Sequence, residues 1–300
     1  MQKNILLFFT LLFSYSALWA QQRPFSALSR YLEEGGKAGY QVEETRAQSD
    51  LEVLGRYAQD TLLEVRGRVY EVVRQLGQLP QESLRQQAVE LLVQGIGDED
   101  GGLSGYCSRS LCYFTLPDFS TQAKTTLAGY LKPETAHLSQ VLRLAGFVQL
   151  QEHTTTLRLF TGEAYSGSIR WSAYLALARL GDAQALAFCL RTIRRYPLND
   201  DLVYDLLPDL VYVRQKAASD YLVSLLQRDE TNCESADAET SGKIPCAYRL
   251  IEYLAPIVEH YPLHPGPSGD LNTDNYPAAL QEVRAWFAAH PEYELVEERY

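Results

Sequence analysis

Between residues 167 and 193 the chain reads "GSIRWSAYLALARLGDAQALAFCLRTI", and its apolar positions fall at helical spacing on more than one side. Ile169, Ala173, Ala176, Leu177 and Leu180 form one face, and Trp171, Tyr174, Leu175 and Ala178 form a second beside it. Gly181 supplies a stop and Asp182 a cap, so a second helix begins at once, with Leu186, Cys189, Leu190 and Ile193 at 0, +3, +4 and +7. A helix with two apolar faces needs neighbours on two sides. One is its hairpin mate, and the other must be the next hairpin.

That next hairpin follows in "NDDLVYDLLPDLVYV" and "KAASDYLVSLLQ", with Leu202, Val203, Leu206, Leu207 and Leu210, then Ala217, Ala218, Tyr221, Leu222, Leu225 and Leu226. Pro208 is expected to kink the first of these helices, because proline lacks an amide hydrogen and crowds the preceding turn. Carried outward, the pattern predicts an all-α chain of about six helical hairpins, near 50–95, 105–131, 134–161, 168–195, 200–228 and 246–290. The first opens on Leu51, Leu54, Ala58, Leu62, Val65, Val69, Val72 and Leu76 at a three-four spacing that a coiled coil would share, but the stretch barely sustains the needed heptads and contains Gly55 and Gly67, so one long capping helix is expected. In the third, the threonines of "HTTTLRLF" lean toward extended structure. Residues 23–49, with Gly35, Gly36 and Gly39, read as a short helix and a lead-in.

The segment "IRWSAYLALARLGDAQAL" resembles the HEAT repeat in its PBS-lyase-like form, an armadillo-type α-solenoid unit. Ile169-Arg170, Ala173, Ala176, Leu177, Leu180, Gly181 and Asp182 carry the match. "LRQQAVELLVQGIGDED" is a looser copy, through Leu84-Arg85, Ala88, Leu91, Leu92, Gly97 and Asp98. The resemblance implies a right-handed α-α superhelix over residues 50–300 and a protein-binding role. It also implies that second helices line the inner face, which makes Arg191, Arg194, Tyr221 and Arg228 candidate binding-surface positions. The family's lyase branch includes enzymes, but no residue of this chain takes a chromophore-handling role.

The first residues change the picture of where this array works. "MQKN" carries Lys3, "ILLFFTLLFSYSALWA" carries no charge, and Ala20 offers a cleavage site, so residues 1–20 read as an export signal and 21–49 as the lead-in that follows. No later apolar run is long enough to span a bilayer, so the product is expected beyond a bacterial inner membrane, periplasmic or extracellular, without membrane insertion. Export permits disulfides. Cys233 and Cys246 bracket the polar insertion "ESADAETSGKIP", where a bridge would staple a loop; Cys107 and Cys112 are a second candidate pair if the backbone between them is not regular helix. Cys189 sits at a helical apolar position and reads as a buried hydrophobe.

The formal net charge is −11, with 46% hydrophobic and 22% charged residues. An acidic chain without a basic stripe argues against nucleic acid as partner. "RTIRRYP", with Arg191, Arg194 and Arg195, is the densest basic stretch and reads as a solvated helix face. Twenty tyrosines suit interaction surfaces, and equally the half-buried seams of a repeat array.

Readable chemistry is sparse. "DLNTDN" resembles the start of a calcium loop, with Asp270, Asn272 and Asp274 as alternate oxygen donors; Asn275 replaces the usual glycine, and Gln281 stands at the twelfth position. The plainer reading is a polar turn capping the last helix. "GIGDEDGGLSG" gathers Asp98, Glu99 and Asp100 in a loop without readable catalytic partners, and the prolines of "HYPLHP" keep His260 and His264 off one helical zinc face. No nucleophile elbow and no catalytic or cofactor-binding residue is readable. The leading expectation is therefore an exported, non-catalytic scaffold or adaptor that binds another protein. The contrasting ones are an exported all-α enzyme acting on glycan or peptide through loop carboxylates such as Asp98 and Asp100, and a calcium-dependent binding module at Asp270.

Overall fold

The computed structural model describes residues 26–36, 39–235, 242–266, 271 and 273–300, and the expected signal segment lies outside them. Among the described residues the fold is all-α apart from one two-stranded ladder. It separates into two compact units, Met1–Val72 and Val73–Tyr300. Among the described residues no helix is long and apolar enough to cross a membrane.

In the first unit, Ser26 caps α1 (Ala27–Glu34), which buries Leu28 and Leu32 and stops at Gly35, where φ is 75°. Helix α2 (Ala47–Tyr57) buries Leu51 and Leu54. The single long helix expected from residue 51 to 76 is two helices, because the chain turns at Ala58–Leu62 before α3 (Leu63–Leu76), of which the residues up to Val72 belong to the first unit and the rest to the second. The Asp60 carboxylate accepts from the Leu62 amide at 2.8 Å and holds that turn, while the apolar spacing runs through it unaltered.

In the second unit the helices are α4 (Glu82–Gly95), α5 (Gly101–Ser110), α6 (Thr121–Ala128), α7 (Leu138–Phe147), α8 (Thr154–Leu159), α9 (Gly167–Arg179), α10 (Ala183–Ile193), α11 (Leu207–Val213), α12 (Lys216–Leu226), α13 (Ala247–Leu254) and α14 (Tyr276–Ala289). The threonines expected to lean toward extended chain open α8 instead. Alternate helices pack in series, α5 on α7, α7 on α9, α9 on α11 and α11 on α13, while α9, α11 and α13 each also pack on the helix that follows them.

Helix α9 shows why. Ser172, Ala173, Leu175, Ala176, Leu177, Ala178 and Arg179 are all buried, so residues of both expected faces are covered, and α7, α8, α10 and α11 all pack against this helix. Its end is built as the sequence indicates. Gly181 takes φ 87°, and the Asp182 carboxylate accepts from the Ala185 amide at 2.9 Å to start α10. Pro208 produces a π-helical turn rather than a simple kink. Residues Leu202–Leu206 widen by one residue ahead of α11, which begins with the proline in its first turn, where its missing amide hydrogen costs nothing.

Cys233 and Cys246 are bridged, with Cα atoms 5.1 Å apart. The bridge closes a small hairpin in which β1 (Cys233–Glu234) pairs antiparallel with β2 (Lys243–Ile244). Because the bridge restricts a loop with a sequence separation of 13 in the unfolded chain, the Cys233→Ser, Cys246→Ser double variant is expected to be less stable by about 3 kcal/mol. A lowered urea midpoint would show it. The second candidate pair is not bridged: Cys107 and Cys112 are free. Helix α5 continues through Ser110 into a tight 3-10 turn at Leu111–Tyr113, so side chains five residues apart diverge. Cys189 is also free and fully buried, as its apolar position indicates.

Candidate functional site

Among the described residues a cleft of about 500 Å³ lies beside the disulfide. Three tyrosines give it character. Tyr204, 49% exposed, projects from the π-helical turn that Pro208 induces. Tyr248 and Tyr276, from the first turns of α13 and α14, lie with ring centroids 5.4 Å apart. The guanidinium of Arg249 sits over the Tyr204 ring, 5.3 Å from its centroid, and ion-pairs with Glu252. Glu252 also accepts from the Tyr276 hydroxyl at 2.5 Å. The lining also holds Asp200, whose carboxylate accepts from the Glu234 amide at 3.0 Å and so ties the cross-linked hairpin to the residues that lead into the π-helical turn. Asp274 completes the lining. Aromatic faces with one paired arginine and several carboxylates suit a cationic or amphipathic side chain better than an anion.

A second constellation holds the last residues of the chain. Residues 294–300 run extended along the second unit and are read through their main chain. The Glu294 carbonyl accepts from Glu259 N at 3.0 Å, and Val296 N donates to the Ile257 carbonyl at 2.9 Å. Arg214 Nε donates to the Val296 carbonyl at 3.0 Å, and Arg179 Nη2 donates to the carbonyls of Glu297 and Arg299 at 3.2 and 2.9 Å. Leu116 N donates to the Glu298 carbonyl at 2.8 Å. The Tyr300 ring then packs edge-on to Phe147, centroids 5.4 Å apart, and beside Tyr212 at 5.3 Å. Its hydroxyl accepts from Gln140 Nε2 at 3.4 Å. Burial pushes the Tyr300 phenol well above its ordinary range, and burial together with repulsion between the two cations lowers the Arg214 guanidinium to about 9.

Beneath this seat, Asp209 of α11 is 7% exposed and joins three helices. It ion-pairs with Arg143 of α7 and accepts from Trp171 Nε1 of α9 at 2.5 Å, while Tyr212 donates to the Arg143 carbonyl at 2.5 Å.

The four expected binding-surface residues divide. The Arg194 guanidinium lies 5.1 Å from the Tyr221 ring centroid, and Arg194 and Arg228 both act on the Tyr221 phenol, which burial nevertheless holds above its ordinary range. Arg228 is tied to Glu230. Arg191 stands apart, in a cleft of about 300 Å³ with Tyr174, Phe188 and the Arg158–Asp182 pair. Of the calcium candidates, Asp270 and Asn272 lie outside the described residues; Asp274 is exposed in the tyrosine cleft, and Asn275 caps α14 by accepting from Ala278 N at 3.1 Å. Among the described residues no group of three or more His, Cys, Asp or Glu is placed to hold a metal. The loop carboxylates have main-chain partners: Asp98 accepts from Asp100 N and Asp100 from Leu103 N, both at 2.9 Å.

The residues missed at the sequence level are mostly arginines and tyrosines whose partners lie far along the chain. Arg179 gave one signal, a lone cation four residues after Leu175 and three after Ala176 on a helix otherwise apolar at those positions. Arg214 gave none, because its left-handed backbone at the end of α11, φ 55°, is set by the fold. No protein-family model, no curated protein and no solved structure matches this chain.

Proposed function

We propose that this is an exported HEAT-like helical-repeat protein that binds another protein without catalysis, through the tyrosine-lined cleft beside the Cys233–Cys246 bridge. The resemblance at residues 169–186 and the serial packing of alternate helices support the repeat reading. The apolar leader at residues 1–20 and the disulfide support export. The observation that carries the binding reading is the cleft itself, in which Tyr204 presents its ring to solvent under Arg249 while Tyr248 and Tyr276 face it. Rigid aromatic rings beside satisfied charges are what protein-recognition hot spots are made of. Asp200, Glu234, Glu252 and Asp274 outnumber Arg249 around the opening, so the partner segment would present lysine or arginine alongside apolar side chains.

The Tyr204→Ala, Arg249→Ala double variant tests this. Chemical cross-linking of the full chain in its native envelope is expected to trap a specific partner. Affinity for that partner is expected to fall about 10-fold or more in the double variant, from the loss of one aromatic anchor and its cation. Identical cross-linked products from both proteins would refute the cleft. Turnover of a glycan or peptide by the purified chain would refute the non-catalytic reading.

A further inference from the structure

Residues 294–300 cross the trailing ends of the same alternate helices that pack in series. Beyond α13, Glu259 N donates to the Glu294 carbonyl at 3.0 Å and Val296 N to the Ile257 carbonyl at 2.9 Å. Arg214, which ends α11, reaches the Val296 carbonyl. Arg179, the last residue of α9, reaches those of Glu297 and Arg299. Between α5 and α6, Leu116 N donates to the Glu298 carbonyl, and Thr115 forms a β-bridge with Arg299. Phe147, the last residue of α7, meets the Tyr300 ring. Five alternate helices thus each contribute a contact at or beyond their C-terminal end.

The segment is held as an added peptide strand is held. Bonds to its main chain fix an extended backbone without choosing the side chains, and a pocket for one side chain gives specificity. Glu294, Glu297, Glu298 and Arg299 are exposed, and Leu295 and Val296 are half-buried. Tyr300 has a pocket of its own, against Phe147 and Tyr212, with its hydroxyl accepting from Gln140. Packing along the middle of the segment is open, since Glu297 and both arginines line a cavity of about 150 Å³. Immediately before the segment the chain is anchored independently. The Tyr293 ring is buried, its hydroxyl donates to Asp220 at 2.9 Å, and the Lys216 ammonium lies 4.2 Å from its centroid.

We propose that this seat is a binding site for an extended acidic peptide segment of a partner protein, with an aromatic side chain at the Tyr300 position, and that residues 294–300 occupy it in cis as an exchangeable strap. Charge supports the acidic class. The Glu297 carboxylate favours the Arg179 cation, whereas Arg299 of the strap opposes the Arg214 cation. A partner segment that keeps the carboxylates and lacks a base at the Arg299 position is therefore better matched to the seat than the strap itself. With Tyr293 holding the end of α14, the strap opens while α14 stays in place. The seat is separate from the tyrosine cleft, which uses the first turns of α13 and α14, and its failure would leave that cleft untouched.

The test is hydrogen exchange and peptide titration of the full chain. The amides of Leu116, Glu259 and Val296 are expected to exchange together, about 100-fold faster than those of α9 after correction for intrinsic rates, because the strap opens ahead of the core. A fluorescein-labelled peptide of residues 294–300 is expected to bind the Tyr300→Ala chain about 10-fold more tightly than the parent, whose own strap leaves the seat open only part of the time. Within that peptide, Arg299→Ser is expected to tighten binding about 3-fold and Tyr300→Ala to weaken it about 10-fold. Should the Tyr300→Ala chain fail to fold, Val296→Pro, which removes the amide bonded to Ile257, takes its place. Exchange of the three amides only together with α9 overturns the strap. Peptide affinity that is equal in the parent and the opened chain, or absent from both, overturns the site. A parent chain that dimerises on concentration by exchanging straps assigns the seat to a second copy and overturns a partner segment as its occupant.

Discussion

Replacing Gly146 by valine is expected to lower stability by about 4 kcal/mol and to separate helices that the second unit is built around. Gly146 lies where α7 crosses α9, the central helix with both faces covered. A Cβ there would stand 2.7 Å from the Ala176 Cα and 2.4 Å from the Tyr212 hydroxyl. Neither neighbour can give way cheaply. Ala176 presents backbone in mid-helix, and Tyr212 is buried with its hydroxyl committed to the Arg143 carbonyl. Overpacking a close-packed core ordinarily costs about 1–3 kcal/mol, and here a branched side chain meets main chain and also breaks a buried hydrogen bond, which adds about 1 kcal/mol or more. Gly55, inside α2, is the control. A Cβ there meets nothing within 4 Å, so Gly55→Ala is expected to add about 0.5–1 kcal/mol through the lower backbone entropy of the unfolded chain. Urea unfolding followed by circular dichroism measures both. A Gly146→Val protein with the parent midpoint would mean that α7 and α9 are not in the contact described.

What could be read from residue order was whatever is decided locally. The two apolar faces of α9, the Gly181 stop and the Asp182 cap each depend on residues a few positions apart, and periodicity reports them directly. The Cys233–Cys246 bridge was legible for the same reason, a short polar loop between two thiols. Periodicity failed at Ala58–Leu62, where the apolar rhythm runs on across a turn made by one carboxylate. Composition failed at Cys107 and Cys112, where a helix runs on into a 3-10 turn and parts the thiols. Gly146 gave no warning, because its need for a missing side chain is created by Ala176 and Tyr212 from other helices. The candidate site was the least legible part. Its cleft draws Tyr204, Tyr248, Arg249, Glu252 and Asp274 from three stretches of chain, and only Asp274 was singled out, for a different chemistry. The arginine seat joins residues more than 80 positions apart through carbonyls, which every residue carries and no pattern of side chains reveals.

Raising the pH through 9 to 12 is expected to unfold the chain cooperatively, with a midpoint at about pH 10–11 at moderate salt. Burial pushes the Cys112 and Cys189 thiols from 9.0 up to about 12, and the Cys107 thiol higher still. The phenols of Tyr212, Tyr261 and Tyr300 are likewise held above their ordinary 10.0 by burial. In this window the folded chain keeps protons that the unfolded chain releases, so the unfolded state binds fewer and stability falls as pH rises. The contribution of these groups is intact below pH 9, where both states are protonated, and is lost progressively from there to 12. Each fully released proton removes about 1.4 kcal/mol per pH unit; the unfolded thiols are half released at pH 9, so three of them remove about 3 kcal/mol between pH 9 and 10 and about 4 kcal/mol per unit beyond, where the tyrosines join. Arg214 works in the opposite direction. Its folded value of about 9 lies below the 12.5 of the unfolded chain, so the unfolded state holds the extra proton and stability rises with pH through that interval. Arg179, whose guanidinium burial also lowers, works the same way; the two recover at most about 1.4 kcal/mol per unit each, against three thiols and, above pH 10, three phenols that each lose the same amount, and a domain's whole stability is about 5–15 kcal/mol. Circular dichroism against pH would show the transition, and Cys189→Ala is expected to shift its midpoint upward relative to the parent after correction for the change in neutral stability. A native signal persisting to pH 12 would mean that the thiols and phenols ionise in place, reached by water that the packed helices are here inferred to exclude.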